Sequence, residues 1–322
     1  MYMSLFVFRA KTTNISYQPP PKNIRGSTTL AYTTCTNIDQ QPLIGGHSPT
    51  THLRPIHKIS YQFQPAAFDP KSRWILYNRM TKSGSRTFVS TLLKTMNKYH
   101  NNISHQDVPF IVIGHHLHVN YTKYGLRQPM GLGLIRDPVE RFISEFYYQR
   151  YGDKHTPANF KNMSMDIYNR TIEECVDMAT HQRKRATPPG AGIAHFCGCQ
   201  LNHEIHRFCG YEKRCTQDPD FALHQAKVNL NEYIAVGLTE ELPEFFKVLE
   251  KLLPGLFKGL LGVYNESRAG QNNTRDTKTF LKRYPSNKYL AKLRALAFRE
   301  YDFYYFVRER FHYQQKQVTL GL

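Results

Sequence analysis

At 322 residues, 40% apolar and 13% aromatic, the chain carries enough apolar material for a sizeable core, which excludes a disordered tail. Its net charge of +18, from 43 Lys and Arg against 25 Asp and Glu, implies an anionic partner: nucleic acid, an acidic membrane, a phosphorylated small molecule or a polyanionic sugar. No run is apolar enough to span a membrane, and the opening MYMSLFVFRA is shorter than a signal-peptide core, so a different true N-terminus is expected.

Residues 1–70 lack sustained periodicity and are rich in Thr, Pro, Gln, Asn and Ser, which predicts an irregular stem or linker. Order begins near Trp74. WILYNRM predicts a buried strand, TKSGS a small-residue loop, and RTFVSTLLKTMNKYH a helix with Phe88, Leu92 and Met96 at steps of four. PFIVIG (109–114) predicts a second buried strand, ending in His115, His116, Leu117 and His118. MGLGLI (130–135) predicts a third, followed by a helix over VERFISEFYYQRYG with Asp137 as its cap and Pro138 in its first turn. Residues 155–230 read as loop-rich, with one helix over FALHQAKVNL (221–230). YIAVGL (233–238) predicts another buried strand, Thr239 the cap of EELPEFFKVLEKLL, and Leu290, Leu293, Ala297, Tyr301 and Tyr304 the buried face of one last helix. Strands alternating with helices predict an α/β fold with a mainly parallel sheet and helices on both faces.

Five of the six cysteines, Cys175, Cys197, Cys199, Cys209 and Cys215, fall within 41 residues and leave a zinc cluster or a disulfide-stapled loop open. Seven Asn-x-Ser/Thr sequons, at Asn14, Asn102, Asn120, Asn162, Asn169, Asn265 and Asn272, point to a secretory compartment and favour disulfides.

Two features carry anion chemistry. Lys82, Ser83, Gly84, Ser85, Arg86 and Thr87 follow the first predicted strand. Small residues there let backbone N–H groups approach an anion, and the next helix N-terminus adds positive potential. The loop is not a Walker A sequence, which weighs against a P-loop kinase. Arg136 ends the third predicted strand, and Ser144 lies two helical turns on, so the pair suits a phosphate. A histidine among the three after the second strand suits a general base, with His115 first and His116 and His118 as alternatives.

These segments, YNRMTKSGSRT (77–87), GHHLHVNYTKYG (114–125), IRDPVERFISEFYYQRYGD (135–153), FCGYEKRC (208–215) and AKVNLNEYIAVGLTEEL (226–242), resemble the Golgi carbohydrate sulfotransferases, and among them the uronyl and heparan sulfate 2-O-sulfotransferases. The resemblance covers about residues 73–312 and implies a sulfotransferase domain over 71–316 with a tail over 317–322. It implies transfer of sulfonate from 3′-phosphoadenylyl sulfate to a uronic acid 2-hydroxyl of a glycosaminoglycan, without a metal or nucleic acid. Ser85, Arg86 and Thr87 after Gly84 look more like the uronyl branch.

By resemblance, residues 82–87 bind the 5′-phosphosulfate, and Arg136 and Ser144 the 3′-phosphate. His115 is the base, Lys82 stabilises the leaving group, and Arg79 and Tyr147 face the acceptor. Tyr148, Arg150 and the run Arg183, Lys184 and Arg185 are further acceptor candidates, and Arg275, Thr277 and Lys278 match a loop over the nucleotide. Cys209 and Cys215 match a family disulfide, and Cys175 a half-cystine whose partner is Cys197 or Cys199. The relatives are Golgi type II membrane proteins, so attachment is expected through an N-terminal anchor absent from this sequence, and a homo-oligomer is compatible with the family. The competing expectations are a nucleotide-dependent kinase and a polyanion-binding protein of the same fold without activity.

Overall fold

The structure, a computed structural model, describes residues 74–99, 110–156, 158, 163–182, 191–201, 203–269 and 278–321, together with the backbone of 6–8. Apart from residues 6–8, the predicted stem lies outside the described residues, as do the 183–185 basic run, Arg275 and Thr277.

The elements in chain order are β1 (Phe6–Phe8), β2 (Trp74–Asn78), α1 (Ser85–Tyr99), β3 (Phe110–Gly114), β4 (Met130–Ile135), α2 (Pro138–Tyr151), α3 (Met165–Asn169), α4 (Ile172–Gln182) and α5 (Ala191–Cys197). They continue with α6 (Glu204–Cys209), α7 (Arg214–Gln217), α8 (Pro219–Asn229), β5 (Tyr233–Leu238), α9 (Leu242–Leu252), α10 (Pro254–Phe257), α11 (Leu260–Ala269), α12 (Asn287–Leu296) and α13 (Phe298–Leu320). The sheet order is β1-β3-β2-β4-β5. Strands β3, β2, β4 and β5 run parallel, as the alternation of strands and helices predicts, whereas β1, inside the predicted stem, pairs antiparallel with β3 at the edge.

Every residue of β4 and β5 is buried, which is why both read as unbroken apolar runs rather than alternating ones. The main core joins Ile75, Tyr77, Leu132 and Val236 of the sheet to Phe88, Phe245, Phe246 and Phe303 of the helices. A second core forms where α2, α4, α5 and α12 meet around Phe142, Phe146, Val176, Phe196 and Leu293.

Helix α2 starts as its sequence dictates. Asp137 Oδ1 accepts from the Val139 and Glu140 amides at 3.0 and 2.9 Å, with Pro138 in the first turn. Three other expectations change. The stretch 155–230, read as loop-rich with one helix, carries helices α3 to α8. Thr239 does not cap α9: its hydroxyl donates to the Ile135 carbonyl at 2.8 Å, fastening the ends of β4 and β5 together, and α9 begins at Leu242. The last helix is two, because Ala297 (φ −90°, ψ 15°) interrupts it between α12 and α13. Helix α13 runs to Leu320, into the stretch predicted as a tail.

Cys209 and Cys215 form a disulfide with a Cα–Cα distance of 5.8 Å, joining the end of α6 to α7. Replacing both with serine is expected to lower unfolding free energy by about 2 kcal/mol, from the entropy of the short loop they close. Chemical denaturation of the variant against the parent measures this. Cys175 departs from the expected cross-link. It stands as a buried thiol, its Sγ donating to the Phe196 carbonyl at 3.4 Å and hydrogen-bonded to Cys197, with Cys199 also a buried thiol. All three pack in the second core, where a thiol acts as a small apolar group.

Candidate active site

The chain after β2 must turn back at once to begin α1, and it does so with Lys82 and Gly84 both at positive φ, 61° and 69°. At Gly84 a Cβ would lie 3.1 Å from Thr239 Cγ2 and 3.3 Å from Leu134 Cδ2, so only glycine brings the backbone this close. Lys82 holds the same conformation with a side chain, at a cost of roughly 1–2 kcal/mol. Such strain persists where surrounding contacts fix it and is concentrated at functional sites. The strain aims Lys82 into a cavity of about 690 Å³ at the C-terminal edge of the sheet.

The Lys82 Nζ sits 3.9 Å from the centre of the Tyr148 ring. Burial is the main reason its pKa falls to about 8, and the Arg86 and Arg136 charges add to this while Asp153 opposes it. The rest of the predicted anion loop divides by direction. Gly84, Ser85, Arg86 and Thr87 line the cavity. Arg86 is already held, its guanidinium donating to Asp153, to Tyr148 Oη at 3.0 Å and to Thr156 Oγ1 at 2.9 Å. Ser83 is a correction: it is fully buried and outside the cavity lining, and its hydroxyl donates to Glu204 Oε1 at 3.3 Å.

Arg136 reaches the cavity from the end of β4. Its guanidinium donates to the Lys82 carbonyl at 3.3 Å and to Glu140 Oε2 at 3.1 Å, so the two predicted anion features touch. Ser144 lines the same wall and its Oγ lies 3.4 Å from Thr279 Oγ1. Four residues on, Tyr148 falls on the same helix face. Tyr147 does not: its ring stacks on Tyr151 with centroids 6.1 Å apart, outside the cavity lining that Tyr148 joins. Arg150 is also excluded, since it is buried and donates to the carbonyls of Phe146, Ile167, Tyr168 and Cys197.

At the end of β3, His115 donates Nδ1–H to the Arg79 carbonyl at 2.9 Å, and the Arg79 amide donates to the Gly114 carbonyl at 2.8 Å. A ring that donates from Nδ1 presents Nε2 as its acceptor nitrogen when neutral. Burial, assisted by the Arg79 and Arg207 charges, lowers the His115 pKa to about 4, so the ring is neutral at physiological pH. His115 and Arg79 both line the cavity. His116 folds over its own strand end, close enough that a Cβ on Gly114 would meet its Nε2 at 2.1 Å. His118 is 7% exposed and packs with Nε2 3.2 Å from Glu232 Oε2. Neither lines the cavity.

Besides Met80 and Thr81, which lead into the anion loop, four further lining residues were not predicted: Thr239, Thr279, Leu281 and Lys282. Thr239 had a signal, since it directly follows a buried parallel strand, where open α/β sheets bind ligands. The others come from the segment after α11, which carries Lys278 and folds back over α2. Thr279 donates to the Ser144 carbonyl at 3.4 Å and Lys282 to Glu140 Oε2 at 3.1 Å. Among the described residues no three His, Cys, Asp or Glu side chains gather as metal ligands, and no helix is long and apolar enough to cross a membrane.

The sulfotransferase family profile matches residues 64–307, three quarters of the chain. The chain belongs to the sulfotransferase family. Its similarity to uronyl 2-sulfotransferase of Mus musculus is 30% identity over 288 residues, covering 80% of this chain and 66% of that protein. To heparan sulfate 2-O-sulfotransferase 1 of Xenopus laevis it is 32% over 276 residues, 76% of this chain and 72% of the relative. The human heparan sulfate enzyme gives 31% over 289 residues. The chain thus spans just under two thirds of the uronyl relatives' length, and within this sulfotransferase fold the matched region contains the whole cavity.

Proposed function

We propose that the protein transfers sulfonate from 3′-phosphoadenylyl sulfate to the 2-hydroxyl of a uronic acid in a glycosaminoglycan, of the dermatan/chondroitin or heparan type. One observation carries this reading. A single cavity is lined by a desolvated lysine on a glycine-bearing loop, by Arg136 with Ser144, and by a neutral histidine. These groups come from the ends of three neighbouring strands, β2, β4 and β3.

The residues fit a donor with two anionic ends. Gly84 leaves a cradle that a Cβ would fill, Lys82 faces the phosphosulfate end, and Arg136 with Ser144 faces the 3′-phosphate. The donor supplies the sulfonate and a phosphate leaving group. His115 Nε2 takes the proton of the sugar hydroxyl, and the Nδ1–H bond to the Arg79 carbonyl holds the ring in that tautomer. Lys82 stabilises the charge that develops on the departing phosphate oxygen. Arg79 and Tyr148 are the cavity residues nearest in role to the acceptor sugar. The relatives act, by their names, on uronyl units and on heparan sulfate. The +18 charge suits a sulfated polymer and makes its capture sensitive to salt. The Cys209–Cys215 disulfide suits an oxidising lumen, and the Golgi is the compartment we assign.

Incubation with labelled donor and a panel of heparan, chondroitin and dermatan chains, followed by disaccharide analysis, tests the reading. Label is expected on the uronic acid O2. Label on the amino sugar would overturn the acceptor assignment. Binding of adenosine 3′,5′-bisphosphate with no transfer to any chain would establish the non-catalytic alternative.

A further inference from the structure

Beneath the anion loop lies a buried carboxylate that the proposed reaction does not use. Glu204 begins α6 and is fully buried. Its Oε1 accepts from two segments that flank the donor cavity. The Ser83 hydroxyl, in the loop, donates at 3.3 Å, and the Arg136 amide, at the end of β4, donates at 3.1 Å. Ser83 is 121 residues away in sequence and Arg136 is 68, so these bonds form only when the fold has closed.

A carboxylate under an anion-binding loop should oppose the ligand, so its charge has to be managed. The surroundings show how. Glu300 of α13 is likewise fully buried and its Oε1 accepts from the Ile205 amide at 3.2 Å. Glu204 Oε2 and Glu300 Oε2 are both buried without a hydrogen-bond partner. The groups that act on this pair are Arg141 from α2, Glu240 from the turn after β5, and the Arg136 backbone. Arg141 is itself shared with Glu145 and with the Gln200 and Leu201 carbonyls, and its Nε has no hydrogen-bond partner. His203, next to Glu204, is held neutral by burial and adds no charge. One arginine therefore faces more carboxylates than it can neutralise. Two such acids in a dry cluster cannot both ionise. Burial raises both above the ordinary carboxylate range, helped at Glu300 by the Glu204 charge and at Glu204 by the Glu240 charge. One proton held by the pair gives one unpartnered oxygen a hydrogen to donate and spares the loop a full negative charge.

We propose that Glu204 is a positioning residue for the donor, tying Ser83 of the anion loop to the Arg136 backbone and sharing a proton with Glu300. This rests on the donor reading above. It has a sign. An anionic ligand over the loop favours the protonated pair, so binding draws in a proton and weakens as pH rises through neutrality. The phosphates of the ligand and Lys82 also titrate, but they do so equally in any variant of Glu204, so the comparison between variants isolates the pair.

The probe is adenosine 3′,5′-bisphosphate, titrated by calorimetry at pH 6, 7 and 8. Glu204→Gln keeps an acceptor oxygen for Ser83 and Arg136 and offers an N–H to Glu300. It is expected to bind within about twofold of the parent at pH 6 and at least about threefold tighter than the parent at pH 8, since one linked proton changes affinity by at most about tenfold per pH unit. Glu204→Ala removes the tie and leaves both donors unpaired. Its affinity is expected to fall roughly tenfold at every pH. If the alanine variant folds and binds like the parent, the positioning role is overturned. If it does not fold, the glutamine variant decides: a parent-to-variant ratio that stays flat from pH 6 to 8 overturns the shared proton. A parent that fails to bind the bisphosphate at all would sink the donor reading instead.

Discussion

His115→Ala is expected to lower kcat for sulfonate transfer by roughly 10²- to 10⁴-fold, the usual contribution of a positioned general base, while adenosine 3′,5′-bisphosphate still binds. The two halves of this result belong together. The histidine meets the cavity through the end of β3, whereas the anion-holding groups come from the loop after β2 and the end of β4. Removing the ring leaves Lys82, Arg136 and Ser144 in place. The Arg79 carbonyl loses its donor, but the Arg79 amide keeps its bond to Gly114, so the strand ends remain fastened.

His118→Ala serves as the contrast. His118 packs against Glu232 and the Tyr233 ring, outside the cavity, so its loss should lower stability more than turnover. Turnover that survives His115→Ala and vanishes in His118→Ala would reverse the assignment. The acid limb of the rate adds a second check. In the proposed reaction the base works only when neutral, and the His115 pKa lies near 4, so activity should hold as pH falls to about 5 and be lost below that. A histidine at its ordinary pKa of about 6.5 would lose activity two units earlier.

Features that depend on neighbours in sequence were the legible ones. β4 and β5 are read to the residue because a parallel strand buried on both faces is an unbroken apolar run between turn signals. That Lys82, Arg136 and Ser144 share one cavity was legible because each follows a strand end or lies two helical turns beyond one. The break at Ala297 was hidden, since Leu293, Leu296 and Ala297 are all buried and the apolar rhythm passes through the interruption unchanged. Choosing Tyr148 over Tyr147 requires the phase of α2 against the cavity, which only packing sets. Glu204 was beyond reach, because its meaning lies in contacts with Ser83 and Arg136, made by folding distant segments together. The three histidines fall between these cases. Their position after a strand was informative, but which ring faces the cavity is decided by the path the chain takes beyond Gly114.

Lys82→Met is expected to cost roughly 10²–10³-fold in kcat, the range for removing one preorganised group that stabilises developing charge. Methionine keeps the length and the apolar stem, so packing against the Tyr148 ring survives and the change isolates the charge. Lys82→Arg should recover little. The guanidinium is a broad planar fork rather than a point charge, and the position already stands beside the Arg86 and Arg136 charges. The alkaline limb follows from the same residue. In the proposed reaction Lys82 acts as a cation, and in the free protein it loses its proton near pH 8, so activity should fall as pH rises through that value when donor is scarce. A bound anion favours the charged lysine, so saturating donor should move the limb above 8. The methionine variant has no such proton to lose. Its residual rate, followed with pH at saturating donor, should show the acid limb of His115 and no alkaline limb assignable to position 82. An alkaline limb that persists unchanged in Lys82→Met would take the leaving-group role away from this lysine and leave it with binding alone.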